Sequence, residues 1–172
     1  ESLAIRAPRP SYNRCMAARD ELLAFTADYL ELEAYPDYGP MGLQVVGAEE
    51  VTRIACGVSA SLELFERAAG SGAQLLVVHH GLLWDRGSRI VDARLRARLE
   101  ALFRADLNLA AYHLALDAHP QVGNNALLAE ALGVERGRRF GDVGFGGPLS
   151  SPCRVGELAA RVADVVGREP LV

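Results

Sequence analysis

The chain has four histidines, and they fall into two tight groups, His79 with His80 and His113 with His119. Each group follows a strand-like run, residues 75–78 and 107–112 respectively, apolar but for Asn108. Imidazole is a common ligand for first-row metals, and a carboxylate usually accompanies it as co-ligand or as the partner that orients the ring. Asp117, between His113 and His119, supplies that carboxylate. In an open α/β sheet, ligands gather beyond the carboxyl ends of the strands, so both groups are expected to face one crevice. His113 is the candidate for a proton-relaying or orienting role, with a hydrogen-bonded rim histidine as the alternative. His119, followed by Pro120, reads as a loop residue, and Trp84 as packing.

Adjacent residues on a regular strand point to opposite faces. His79 and His80 therefore converge only if the strand ends at them, and Gly81 lets the chain turn there. Two neighbouring imidazoles in that position suit two metal ions sharing a carboxylate. Paired ions in such sites commonly lie about 3.5–4 Å apart and activate a water for hydrolysis. The serines of Gly57-Val58-Ser59-Ala60-Ser61 lack the final glycine of a nucleophile elbow and are better read as helix caps. The glycines within 141–147 carry no dinucleotide fingerprint and read as turns.

The elements that must position these residues alternate. Leu22, Leu23, Phe25, Ala27, Tyr29 and Leu30 lie in a stretch free of Gly and Pro, which predicts a helix. Pro36, Gly39, Pro40 and Gly42 break regularity and make a loop. Residues 51–58 predict a strand, and Ser59 or Ser61 caps the helix that follows, which Gly70 and Gly72 end. The run 75–78 predicts a short strand buried on both faces. Val91, Leu95, Leu99, Leu102 and Phe103 recur at helical spacing on a charged segment, which predicts an amphipathic helix. Residues 107–112 predict another strand, Asn124 or Asn125 caps a helix over 126–132, and a last helix covers 158–166. Residues 1–12, with Pro8 and Pro10, predict a mobile arm. This order predicts an α/β fold, a largely parallel sheet with helices on both faces.

Composition removes several chemistries. Lysine is absent and all 18 basic residues are arginine, which excludes a lysine Schiff base and a phosphate loop ending in Gly-Lys. A net charge of −4 argues against a general nucleic-acid footprint. The exception is 86–104, where six arginines face Asp85, Asp92 and Glu100; a solvated helix face is the first reading and an anion-binding role the second. Cys15, Cys56 and Cys153 are scattered, with no Cys-x-x-Cys pair, so neither a disulfide framework nor a zinc knuckle is expected. Cys56, in an apolar run, is expected to be buried and inert. No apolar run reaches the roughly 20 residues of a membrane span, and no signal segment opens the chain, so a cytosolic protein is expected.

Three segments together are similar to a known family. Val77-Val78-His79-His80-Gly81-Leu82-Leu83-Trp84 resembles the His-His-Gly signature of the Nif-three-like family, also called GTP cyclohydrolase I type 2 homologues. The segment from Tyr112-His113 through Asp117-Ala118-His119-Pro120 to Gly123-Asn124-Asn125 resembles its second signature, and Asp37-Tyr38-Gly39-Pro40-Met41-Gly42-Leu43-Gln44 its first. The likeness is strongest to the bacterial YbgI-type branch. It implies a dinuclear metal centre, two divalent ions of zinc, iron, manganese or nickel, with His79, His80 and Asp117 among the ligands. It also implies a two-halved fold in a ring-shaped homohexamer, with residues 13–135 as the metal-binding domain and 136–172 as the incomplete start of the second half. The family completes its site with a His and a Glu near the C-terminus. No histidine follows His119 here, so the resemblance implies the N-terminal portion of a longer protein. Met41 stands where the family usually has Asn, and Val46 where it often has Glu, which would alter substrate contacts if that loop touches the site.

The function these residues predict is a metal-dependent hydrolase acting on a phosphate- or nucleotide-like small molecule. The alternatives are a metal-handling interaction protein without turnover, and a structural fragment whose histidines bind nothing.

Overall fold

The structure is a computed structural model that describes residues 16–171 except residue 136. The expected N-terminal arm over 1–12 and Cys15 lie outside the described residues. The elements run in the order β1 (Ala17–Ala18), α1 (Arg19–Tyr29), β2 (Gly42–Val45), β3 (Glu50–Val51), β4 (Ile54–Ser59), α2 (Leu62–Gly70), β5 (Leu75–His80), α3 (Ala93–Arg104), β6 (Asn108–Ala111), α4 (Leu114–Ala118), α5 (Asn124–Ala131), β7 (Arg138–Phe140), β8 (Gly144–Gly146) and α6 (Val155–Val166).

The central sheet has the order β2-β6-β5-β4. β4, β5 and β6 are mutually parallel, and β2 closes the β6 edge antiparallel. Period-two alternation splits the core into two layers. Leu76 and Val78 of β5, with Leu109 and Ala111 of β6, pack against Phe65 and Ala68 of α2 and Leu102 of α3. Leu75, Val77 and Ala110, with Tyr112, pack against Leu22 and Leu23 of α1 and Ala115 and Leu116 of α4. Helices therefore cover both faces of a mostly parallel sheet, the α/β layering expected.

Several local expectations are refined. The strand expected over 51–58 is two, because the backbone N–H groups of Thr52 and Arg53 donate to the Gln74 side chain instead of a ladder. Ser61, not Ser59, caps α2 by accepting from the Leu64 N–H. Neither Asn124 nor Asn125 caps α5; Gly123 is the cap residue, and the amides of Asn124 and Asn125 donate instead to Asp117 and to the Val143 carbonyl. Cys56 is exposed rather than buried. It lies on β4, the edge strand, where Ile54 and Val58 of the same face are exposed too. The glycine-rich 141–147 segment forms the turn and second strand of the β7–β8 hairpin.

One buried polar residue ties the layers together. Asn108, fully buried at the start of β6, accepts from the Gly47 N–H and donates to the carbonyls of Ala48 and Gln74. Its three bonds fix the β2–β3 connection and the α2–β5 turn on one side chain. No helix among the described residues is long and apolar enough to cross a membrane.

Candidate metal centre

β5 delivers the adjacent histidines. Its pairing with β6 ends at Val78, while on the other side Ser59 of β4 still pairs with His80. Past Val78 the two imidazoles lean together over the carboxyl edge, with ring centroids 4.5 Å apart. Gly81 then turns the chain under Gln44: a Cβ at Gly81 would lie 2.5 Å from the Gln44 side-chain amide. Gln44 in turn accepts from the N–H groups of Leu82 and Leu83 and donates to Pro40, locking the 81–84 turn against the 37–44 loop.

β6 delivers the second group. His113 follows its carboxyl end and is the cap residue of α4, with its ring centroid 4.8 Å from that of His79 and 5.6 Å from that of His80. One turn on, Asp117 Oδ2 lies 3.6 Å from His79 Nε2. The structure thus brings His79, His80, His113 and Asp117 to one crevice at the strand ends, so the expectation that both histidine groups face it is met except for His119. His119 stays outside it: its Nδ1 accepts from the N–H groups of Gln121 and Val122, and its ring packs against Tyr29. Trp84 donates to the Gly81 carbonyl and sets its ring perpendicular to His113, with centroids 5.3 Å apart.

Each imidazole is held by the same nitrogen. His79 Nδ1 lies 3.3 Å from the Tyr112 carbonyl, His80 Nδ1 3.1 Å from Ser59 Oγ, and His113 Nδ1 2.9 Å from Asp37 Oδ1. Nε2 is the ring nitrogen left outside these contacts in all three. Asp117 is oriented by Asn124, whose amide donates to Oδ1 at 2.8 Å. Asp37, Ser59 and Asn124 are the residues that sequence reasoning did not assign to the site. Asp37, the opening residue of the first family-like segment, and Asn124, near the end of the second, carried a signal, whereas Ser59 carried none.

Electrostatics favour a neutral, ligand-ready His80. Desolvation, then the neighbouring His79 and His113, push its pKa below the usual histidine value, against the pull of Asp117. Burial would raise the pKa of Asp37, but hydrogen bonds from His113 and from the Leu114 and Tyr38 N–H groups outweigh it and hold the carboxyl below its ordinary value.

The donor set fits a metal ion. One ring nitrogen from each of His79, His80 and His113 lies within 4.8 Å of the others. Two ligands of one tetrahedral ion, each about 2.1 Å from it, stand about 3.4 Å apart. The 3.6 Å between His79 Nε2 and Asp117 Oδ2 matches that separation.

The fold and this cluster define an α/β protein with a histidine–carboxylate cluster, able to hold a metal ion, at the carboxyl edge of its parallel strands. The chain belongs to the Duf34/NIF3 (NGG1p interacting factor 3) family, whose profile matches residues 17–172. It is 41% identical over 170 residues to a GTP cyclohydrolase 1 type 2 homolog of Deinococcus radiodurans, covering 96% of this chain and 64% of that one. It is 42% identical over 147 residues to the homolog of that name in Archaeoglobus fulgidus, covering 83% of this chain and 60% of that one. The chain thus spans less than two thirds of either relative. Among solved structures it is similar to a protein titled ybgI, of unknown function, with TM-score 0.87 and 39% identity over 90% of this chain and 63% of that one. TTHA1606 from Thermus thermophilus follows, with TM-score 0.81 and 36% identity over 90% of this chain and 64% of that one.

Proposed function

We propose that this chain is the ion-holding part of a metal-dependent hydrolase acting on a phosphate- or nucleotide-like small molecule. The observation that carries the reading is the convergence of His79, His80 and His113 within 4.8 Å, with Asp117 beside His79. His79 and His80, through Nε2, and Asp117, through Oδ2, hold the metal, and two ions share the centre in the full-length family. Zinc, iron, manganese and nickel suit imidazole with carboxylate. A divalent ion bound here supplies Lewis acidity for hydrolysis. The protein's own work is to fix the donors and to move a proton. Tyr112, Ser59 and Asn124 orient His79, His80 and Asp117, and His113 Nε2 accepts and returns a proton at the edge of the cluster. Trp84 and Tyr38 wall the His113 side, and Tyr38 is exposed where a flat substrate would enter. The relatives' name, GTP cyclohydrolase 1 type 2 homolog, supports a nucleotide-like substrate. The homohexamer belongs to the same proposal, and sedimentation velocity reads it directly.

Metal content per chain by elemental analysis, on this chain and on Asp117→Ala, is the first test. Near-stoichiometric metal that the variant loses is the expected result. A panel of phosphoesters and nucleotides, with and without chelator, is then expected to show turnover that disappears in His80→Ala. Tight metal without turnover on any substrate would make the chain a metal-handling protein. Absence of metal under every loading condition would sink the reading.

A further inference from the structure

Asp37 lies 76 positions before His113 in sequence, yet its carboxylate is committed to the segment that carries that histidine. Oδ1 accepts from His113 Nδ1 at 2.9 Å and from the Tyr38 N–H at 2.7 Å, and Oδ2 accepts from the Leu114 N–H at 2.7 Å. One carboxylate therefore grips both the ring of His113 and the backbone immediately after it, a two-point hold that fixes the ring's rotation. Its side chain is 2% exposed, so water does not compete for these bonds. Trp84, perpendicular to the ring, closes another side.

We infer that Asp37 is a positioning residue that holds His113 in the tautomer protonated at Nδ1, keeping Nε2 as a proton acceptor beside the His79–His80 pair. An ionised carboxylate only accepts, so the shared proton is supplied by Nδ1. Nε2 then carries the lone pair. The hydrogen bonds that lower the Asp37 pKa keep it in this accepting form. Ser59, a hydroxyl that both donates and accepts, imposes no such choice on His80. The inference rests on the hydrolase reading for the use of Nε2, while the tautomer itself is independent of any metal.

The test is a long-range proton–nitrogen spectrum of the metal-free, ¹⁵N-labelled chain, with His113 assigned by its loss in His113→Asn. The wild-type ring is expected to show Nδ1 protonated and Nε2 bare. Asp37→Asn has one accepting oxygen for three donors, so the Nε2-protonated form is expected to gain roughly tenfold, the worth of one charge-assisted bond. A wild-type ring protonated at Nε2 would overturn the inference without any variant, and so would an unchanged tautomer ratio in a folded Asp37→Asn. Metal affinity is measured on the same proteins. A value within about threefold of wild type in Asp37→Asn supports His113 as proton acceptor, whereas a ~10- to 100-fold loss, typical when a ligand's orienting partner is removed, makes His113 a ligand and overturns that role. If the wild type takes no metal but shows the expected tautomer, the hydrolase reading falls and the positioning by Asp37 stands.

Discussion

Asn124 offers a quantitative probe of the proposed metal centre because it touches the proposed ligand Asp117 without being one. Its amide donates to Asp117 Oδ1 at 2.8 Å, while the other carboxylate oxygen lies 3.6 Å from His79 Nε2. Asn124→Ala removes that bond but leaves the carboxylate, and as the first residue of α5 it sits where alanine is compatible with the helix. A hydrogen bond to a charged group contributes about 1.5–3 kcal/mol, but Asn124 is exposed, so about 1 kcal/mol is the appropriate share. At 1.4 kcal/mol per decade, that corresponds to a roughly fivefold weaker metal affinity. Asp117→Ala, which deletes the proposed ligand, should lose more than ~100-fold, since a direct ligand outweighs its orienting partner. Competition against a chromophoric chelator at fixed pH measures both, and circular dichroism confirms that α5 still forms. Equal affinities for wild type and Asn124→Ala would refute the orienting role. A loss in Asn124→Ala as large as in Asp117→Ala would refute the ligand assignment itself.

The fold makes further demands. Asn108→Ala leaves the Gly47 N–H and the carbonyls of Ala48 and Gln74 without their buried partner, and should cost about 2–4 kcal/mol in urea unfolding; a loss below about 1 kcal/mol would contradict that account. Leu102→Ala, fully buried between α3 and the sheet, should cost about 2–5 kcal/mol, while neighbouring Phe103→Ala, 63% exposed, should stay within about 0.5 kcal/mol; similar losses would mean that α3 packs on another face. Asp37, with its folded pKa below the ordinary 3.8, stabilises the fold fully above that value. This contribution is lost as pH falls through the folded pKa. Asp37→Asn should therefore show a shallower loss of stability on acidification below about pH 4, read by thermal melts across pH, and an acid limb as steep as wild type would refute it.

Elements with a strong period of their own were legible in the sequence. The all-apolar 75–78 run marks a strand buried on both faces, and of the Val91, Leu95, Leu99, Leu102 and Phe103 stripe that marks α3, Val91 precedes the helix and it and Phe103 are exposed. The five-residue α4 is too short to show helical periodicity, and its cap residue is the histidine that matters. Cys56 was read by its apolar neighbours, but edge position, which no local pattern encodes, left it exposed. Ser59 and Asn124 have the residue types of helix caps, and tertiary partners recruited them to His80 and Asp117 instead. The adjacency of His79 and His80 pointed to a candidate metal cluster, but the pairing of His113 with Asp37 spans 76 positions and exists only after β6 is seated.

That dependence gives the Gln44 clamp its meaning. Asp37 can reach His113 only if the 37–44 loop is held against the 81–84 turn, and Gln44 makes that connection from β2. Gly39 allows the contact: a Cβ there would lie 2.8 Å from the Leu83 carbonyl and 2.9 Å from the Trp84 Cα. The antiparallel edge strand β2 therefore does more than close the sheet. It carries the residue that registers the first family-like segment on the second, so the donors from β5 and the carboxylate behind His113 share one rigid frame. Met41 packs into the same core layer and Val46 is exposed, so neither departure from the family pattern disturbs this frame. Preorganisation of this kind is what a site needs when each donor comes from a different element, because an ion bound to loosely held ligands must first meet the entropy of ordering them.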